Sequence, residues 1–222
     1  MSPNPPSTAC HGPGDNPETI CVLGIGNVLW ADEGFGVRAV EALHAAYEFP
    51  ADVTLQDGGT LGLLLYEPVA TARRVLVFDA IDFGLPPGTL RVLRDGEVPA
   101  WGRTKLSPHQ TSFNDVLALA QMNGRTPGEI VAIGVQPVEL NDFGGSLRDP
   151  VRDRLPEAVQ LAADQLAAWG FPGSPRAADV PFEPLNAGPL SLAAYESGRP
   201  SEDVARRDGD ERLLTPRIRN ER

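Results

Sequence analysis

Cysteine is nearly absent from this sequence, with Cys10 and Cys21 alone among 222 residues. Cys10 lies in a Pro/Gly/Ser-rich leader and Cys21 inside an apolar run, so a disulfide framework is excluded. Lysine is rarer still: Lys105 is the one lysine among 19 basic residues. That skew reads as genome composition rather than a guanidinium-specific task. Thirty acidic residues leave a net charge of -11 and a sequence pI near 4.7. A chain this acidic lacks the basic footprint of a nucleic-acid binder. No basic residue precedes Arg38, so the charged start of a signal peptide is not expected. Apolar runs such as Leu61 to Tyr66 fall far short of the roughly 20 residues that span a bilayer. These absences point to an acidic cytoplasmic protein that engages neither membrane nor nucleic acid. What is present is ordinary: 41% apolar and 22% charged residues, in a chain long enough to bury one sizeable core.

Composition divides the chain into three. Residues 1–18 read as a flexible leader. From 171 to 222 there are seven prolines, eight basic and nine acidic residues and no sustained period, which reads as a loosely ordered tail. The alternatives are a short helix at Leu190 to Tyr195 and docking of Pro181 to Tyr195 on the domain or a partner through Phe182, Leu185, Leu190, Leu192 and Tyr195. Between them, 19–170 reads as one folded domain. Ile20 to Ile25, Val53 to Gln56, Val75 to Phe78 and Ile130 to Val135 read as strands, three of them nearly continuous apolar runs that suit burial on both faces. Thr89 to Arg94 alternates as an antiparallel or edge strand does. Helical spacing follows Glu33 through Val37, Val40, Leu43 and Tyr47, then runs from Thr60 to Val69, Ser112 to Met122 and Val151 to Trp169. Strand–helix alternation predicts a three-layer α/β fold, a twisted and mostly parallel sheet of about five strands with helices on both faces.

In an open α/β sheet, ligands bind beyond the carboxyl ends of the strands. The first strand runs into Gly24-Ile25-Gly26-Asn27 and then Ala31-Asp32-Glu33-Gly34. The second ends at Asp57 and the next apolar strand at Asp79. His109 sits in Ser107-Pro108-His109-Gln110, just before a helix. Glutamate, aspartate and histidine together suit a divalent metal, the imidazole favouring Zn, Ni, Fe or Cu over Mg or Ca. Three protein ligands leave positions open for water or substrate. Local readings stand beside this one. Asp32 or Glu33 in a first helical turn is worth about 0.3–1 kcal/mol against the helix dipole. Asp79 can fix a turn, and His109 can orient its loop. His44 reads as structural and His11 as solvated. On these residues alone the metal site and the local roles both stay open.

Other templates fail. GIGNVL lacks the third glycine of the dinucleotide fingerprint, and no H-E-x-x-H, G-x-S-x-G or G-x-x-x-x-G-K occurs, so a nucleotide-dependent oxidoreductase is disfavoured. Cys21, mid-strand and without a base, reads as a small hydrophobe rather than a nucleophile.

The segments GIGNVLWADEGFGVRAVEAL, LQDGGTLGLLL, VLVFDAIDFG, PGTLRVLR and LSPHQTSFNDVLALA resemble, in order and spacing, the nickel-iron hydrogenase maturation endopeptidases, and most of all the branch serving uptake hydrogenases. The resemblance covers about residues 20–168. It implies a peptidase, neither serine- nor cysteine-dependent, that removes a C-terminal extension from the hydrogenase large-subunit precursor after nickel insertion. By the same resemblance Glu33, Asp79 and His109 contact the metal, a nickel ion borne by the substrate that other divalent metals can replace, and Asp57 serves cleavage. Gly24, Gly26, Gly58 and Gly59, with Asn27 beside them, would let a substrate backbone approach closely. A chaperone that checks nickel with the same three ligands but does not cut is the alternative from the binding class.

Overall fold

The apolar runs are strands, and their side chains alternate between two cores. In the computed structural model, which describes residues 18–98, 108–177, 181–186 and 188–199, with the backbone alone at 108–112, β1 (Ile20–Ile25) and β4 (Arg74–Ala80) carry the pattern most plainly. Ile20, Val22, Leu76 and Phe78 face one side, while Cys21, Leu23, Ile25, Val75 and Val77 face the other. This is the period of two that a pleated strand imposes. Burial of each large aliphatic or aromatic side chain there stabilises the fold by about 1.5–3 kcal/mol.

The five-stranded sheet has the order β3-β1-β4-β6-β5, with β3 at Val53–Gly59, β5 at Leu90–Arg94 and β6 at Glu129–Val135. The pairs β1–β3, β1–β4 and β4–β6 are parallel, and the edge strand β5 is antiparallel to β6. α1 (Phe35–Ala46) and α5 (Leu155–Ala168) cover the first face through Val40, Leu43, Ala158, Ala162 and Leu166. α2 (Tyr66–Thr71) and α3 (Pro108–Met122) cover the second through Val69, Phe113, Val116 and Leu117. The three-layer, mostly parallel sheet is the fold read from the sequence. No helix among the described residues is long and apolar enough to cross a membrane.

Three boundaries differ from the sequence reading. β3 and β4 are longer than their apolar runs, so Asp57 and Asp79 lie inside strands rather than after them. The helix expected from Val151 to Trp169 is two, α4 (Asp149–Arg152) and α5. Pro156 has no N–H to give and its ring crowds the carbonyl four residues back, which stops one helix from running through.

The third difference is the largest, because the described part of 171–199 is packed rather than loose. Ser174–Pro175 forms β7, antiparallel to β2 (Tyr47–Glu48). Arg176 reaches the carbonyls of His44 and Tyr47. Beyond it the described residues lie along α1 and include α6 (Leu192–Gly198), capped by the Ser191 hydroxyl. The folded unit therefore extends past Gly170. Residues 1–17 of the leader and residues 200–222 lie outside the described residues, while Glu18 pairs with Arg73 and Arg74.

Candidate active site

The carboxyl ends of β1, β3 and β4 are held together by close backbone approach. A Cβ on Gly24 would run into the Gly36 carbonyl oxygen and Val40, and one on Gly36 into the carbonyl oxygens of Ile25 and Phe78. The start of α1 is thus pressed directly onto β1 and the end of β4. Gly26, at φ +131, turns the chain out of the sheet, and a Cβ there would strike the Glu33 carbonyl oxygen. Only glycine adopts that backbone without strain. The 3₁₀ turn Ala31–Gly34 is folded back over the end of β1 in this way, carrying Glu33 half-buried beside β4. Asp79 is fully buried, on the strand face that Val75 and Val77 share with α3. His109 lies in the first turn of α3, and its side chain lies outside the described residues. Among the described residues no group of three or more His, Cys, Asp or Glu side chains is disposed to hold a metal ion, a set that leaves His109 out.

Gly24 and Gly26 are required by the chain's own packing, a reason distinct from the approach of a substrate backbone. Gly58 is buried against the Gly24 carbonyl and Leu65, and Gly59 takes φ +40 and accepts a hydrogen bond from the Gly26 N–H at 3.0 Å. Asn27 Oδ1 accepts from the Leu29 N–H at 3.0 Å and shapes its own turn.

Asp32 has a different role from the helix-end charge that its position suggests. Its fully buried carboxylate accepts three backbone N–H bonds, from Val138 at 2.8 Å, Glu139 at 3.0 Å and Arg148 at 2.7 Å. It ties the loop after β6 to the turn that bears Glu33. Cys21 is buried within β1, and burial pushes its thiol up to about 12. A thiol so held stays protonated at neutral pH and is a poor nucleophile.

Asp57 lies on the edge strand β3, beside a cleft that Gln56, Thr60, Leu61, Leu185 and Asn186 help to line. Its Oδ2 accepts from Asn186 Nδ2 at 2.6 Å, and the same nitrogen donates to Glu41 Oε1 at 2.9 Å. Glu41 Oε2 pairs with Arg38 at 2.9 Å, and buried Arg38 donates to the Leu190 carbonyl at 2.5 Å. His44 Nε2 donates to the Glu183 carbonyl at 2.8 Å and its ring meets Phe182 edge-on. Tyr195 donates to the Gly145 carbonyl at 3.1 Å, and Glu196 bonds Arg152 and Ser146. Asn186, Glu41 and Arg38 were not singled out in the sequence. The one signal for them was the scatter of Phe182, Leu185, Leu190, Leu192 and Tyr195, apolar residues without a period.

Residues 37–165, a span holding Asp57, Asp79 and His109, match the family model for hydrogenase maturation protease. The hydrogenase expression/formation protein HoxM of Azotobacter vinelandii is 53% identical over 196 residues, 88% of this chain and 94% of that one. The hydrogenase 2 maturation protease of Escherichia coli is 39% identical over 160 residues, covering 97% of that protein but 72% of this chain. Among solved structures, the hydrogenase maturating endopeptidase HybD from E. coli superposes with a TM-score of 0.68 at 38% identity, covering 71% of this chain and 98% of its own. The [NiFe] hydrogenase maturation protease HybD from Thermococcus kodakarensis does so with a TM-score of 0.56 at 26% identity, covering 67% of this chain and 99% of its own. These matches agree: the chain belongs to the hydrogenase maturation protease family.

Proposed function

We propose that the chain is the endopeptidase that removes the C-terminal extension of a nickel-iron hydrogenase large-subunit precursor, of the uptake type, once nickel has been inserted. It acts in the cytoplasm. What supports the reading is that β1 and β4 are neighbours in the sheet, so the turn bearing Glu33 and the strand end bearing Asp79 share one edge in a chain of this family. Nickel arrives with the substrate, held by its thiolates, and other divalent metals can substitute. Its open coordination positions accept the carboxylates of Glu33 and Asp79 and the imidazole of His109, which makes docking conditional on metal loading. Peptide hydrolysis then needs an activated water and a stabilised oxyanion. Asp57 supplies the carboxylate that takes a proton from that water or orients it, in an aspartyl-type rather than serine- or cysteine-type reaction; the high-lying Cys21 thiol accords with this.

The test is incubation with nickel-loaded and nickel-free precursor, followed by mass analysis of the precursor's C-terminus. Only the loaded form is expected to be cut, and equal cleavage of both overturns the gate. Glu33→Gln, Asp79→Asn and His109→Ala are each expected to slow processing roughly 10–100-fold, the range typical of weakened metal sites.

A further inference from the structure

We infer that Asn186 is a positioning residue for Asp57, and that the segment from Phe182 to Arg199 is a working wall of the cleavage cleft rather than an appendage. The inference rests on the reading of Asp57 given above. Asp57 stands on the edge strand of the sheet, with one flank open. On that flank the Asn186 carboxamide donates to both Asp57 Oδ2 and Glu41 Oε1. Only an NH₂ edge satisfies this position: a carboxamide offers two donors on one nitrogen, whereas an oxygen would face two carboxylates with no proton to share. With the amide gone, the two carboxylates meet across the same gap, which like charges disfavour.

The amide is itself held at both ends. Glu41 is fixed by Arg38, and Arg38 by the Leu190 carbonyl and the ring of Tyr195, 5.8 Å from its guanidinium carbon. His44 and Phe182 pin the segment just before Asn186. A donor anchored on two sides restricts the rotation of the Asp57 carboxylate, and placement of a reacting group is where rate is gained or lost.

Full-length Asn186→Ala and Asn186→Asp are to be assayed on nickel-loaded precursor beside Asp57→Asn, with protease protection of the Phe182 to Tyr195 region as the check that the segment stays docked. Asn186→Ala is expected to lower kcat by about tenfold or more, within the roughly 10²-fold that a 1 Å misplacement costs, with KM unchanged and the segment protected. Asn186→Asp, which removes the donor and adds a third carboxylate, is expected to fall further. Unchanged or faster turnover in Asn186→Ala while Asp57→Asn is inactive overturns the inference and leaves the role of Asp57 intact. So does a rise in KM at constant kcat. Wild-type turnover in Asp57→Asn overturns the reading of Asp57 and the inference with it.

Discussion

Asp32 and Glu33 are adjacent carboxylates in opposite circumstances. Glu33 is half-buried at the sheet edge, while Asp32 is sealed inside and bonded to three backbone N–H groups. In the sequence they are interchangeable, since either one suits a first helical turn, and their difference is created by a loop more than a hundred residues away. Asp32→Asn turns one acceptor oxygen into a donor that faces N–H groups. It is expected to cost about 1–3 kcal/mol, the penalty of a buried group left unsatisfied, well above the fraction assigned to a helix-end charge; denaturant unfolding measures it. Cys21 was legible as a small hydrophobe because it sits mid-run between apolar neighbours. Its thiol, raised from 9.0 to about 12 by burial, holds its proton in the fold between those values while the unfolded chain releases it. Stability is therefore expected to be full below pH 9 and to decline as the pH rises toward 12. Cys21→Ala should flatten that alkaline slope, and iodoacetamide at pH 8 should leave native Cys21 unlabelled in peptide mass analysis.

Elements were legible where burial is two-sided and continuous, as in β1, β4 and β6, because such strands must be apolar throughout. They were illegible where a long-range partner decides. Asp-Gly-Gly reads as a turn but extends β3, which is paired along β1 as far as Gly59. The C-terminal segment has prolines and no period, and its contacts come singly from Arg38, His44 and Arg152, none of which advertises a partner in sequence. A chain ending at Gly173 loses β7, the Leu190 and Tyr195 contacts to Arg38 and the ion pair of Glu196. A cost of about 2 kcal/mol lowers the melting midpoint of a chain this size by roughly 4–8 °C; no shift on truncation would mean that the segment adds nothing to the fold. The α1–β1 contact is tighter still. Gly24→Ala must push the Gly36 carbonyl and Val40 aside, and overpacking of that kind costs about 1–3 kcal/mol. Calorimetry should show a lower midpoint with α1 as the displaced element.

For the molecule as a whole, the alternation of strands and helices made the layered sheet readable, and the rule that strand ends share an edge put Asp57 and Asp79 near the carboxyl ends of β3 and β4, on either side of β1. Three strands, β1, β4 and β6, are enclosed by neighbours on both sides and by helices above and below. Native-state amide exchange is expected to be slowest in these strands and faster in β3, β5 and the 181–199 segment; uniform protection would contradict the layering.

The bond between Asp57 and Asn186 joins residues 129 positions apart. A ribosome adding 5–20 residues per second takes roughly 6 to 26 s to make that stretch. In the later part of that interval, once β6 has been made, the sheet can assemble with its edge carboxylate in place but without the amide that orients it. The edge of the sheet is in this way left unfinished until residue 186 has been made.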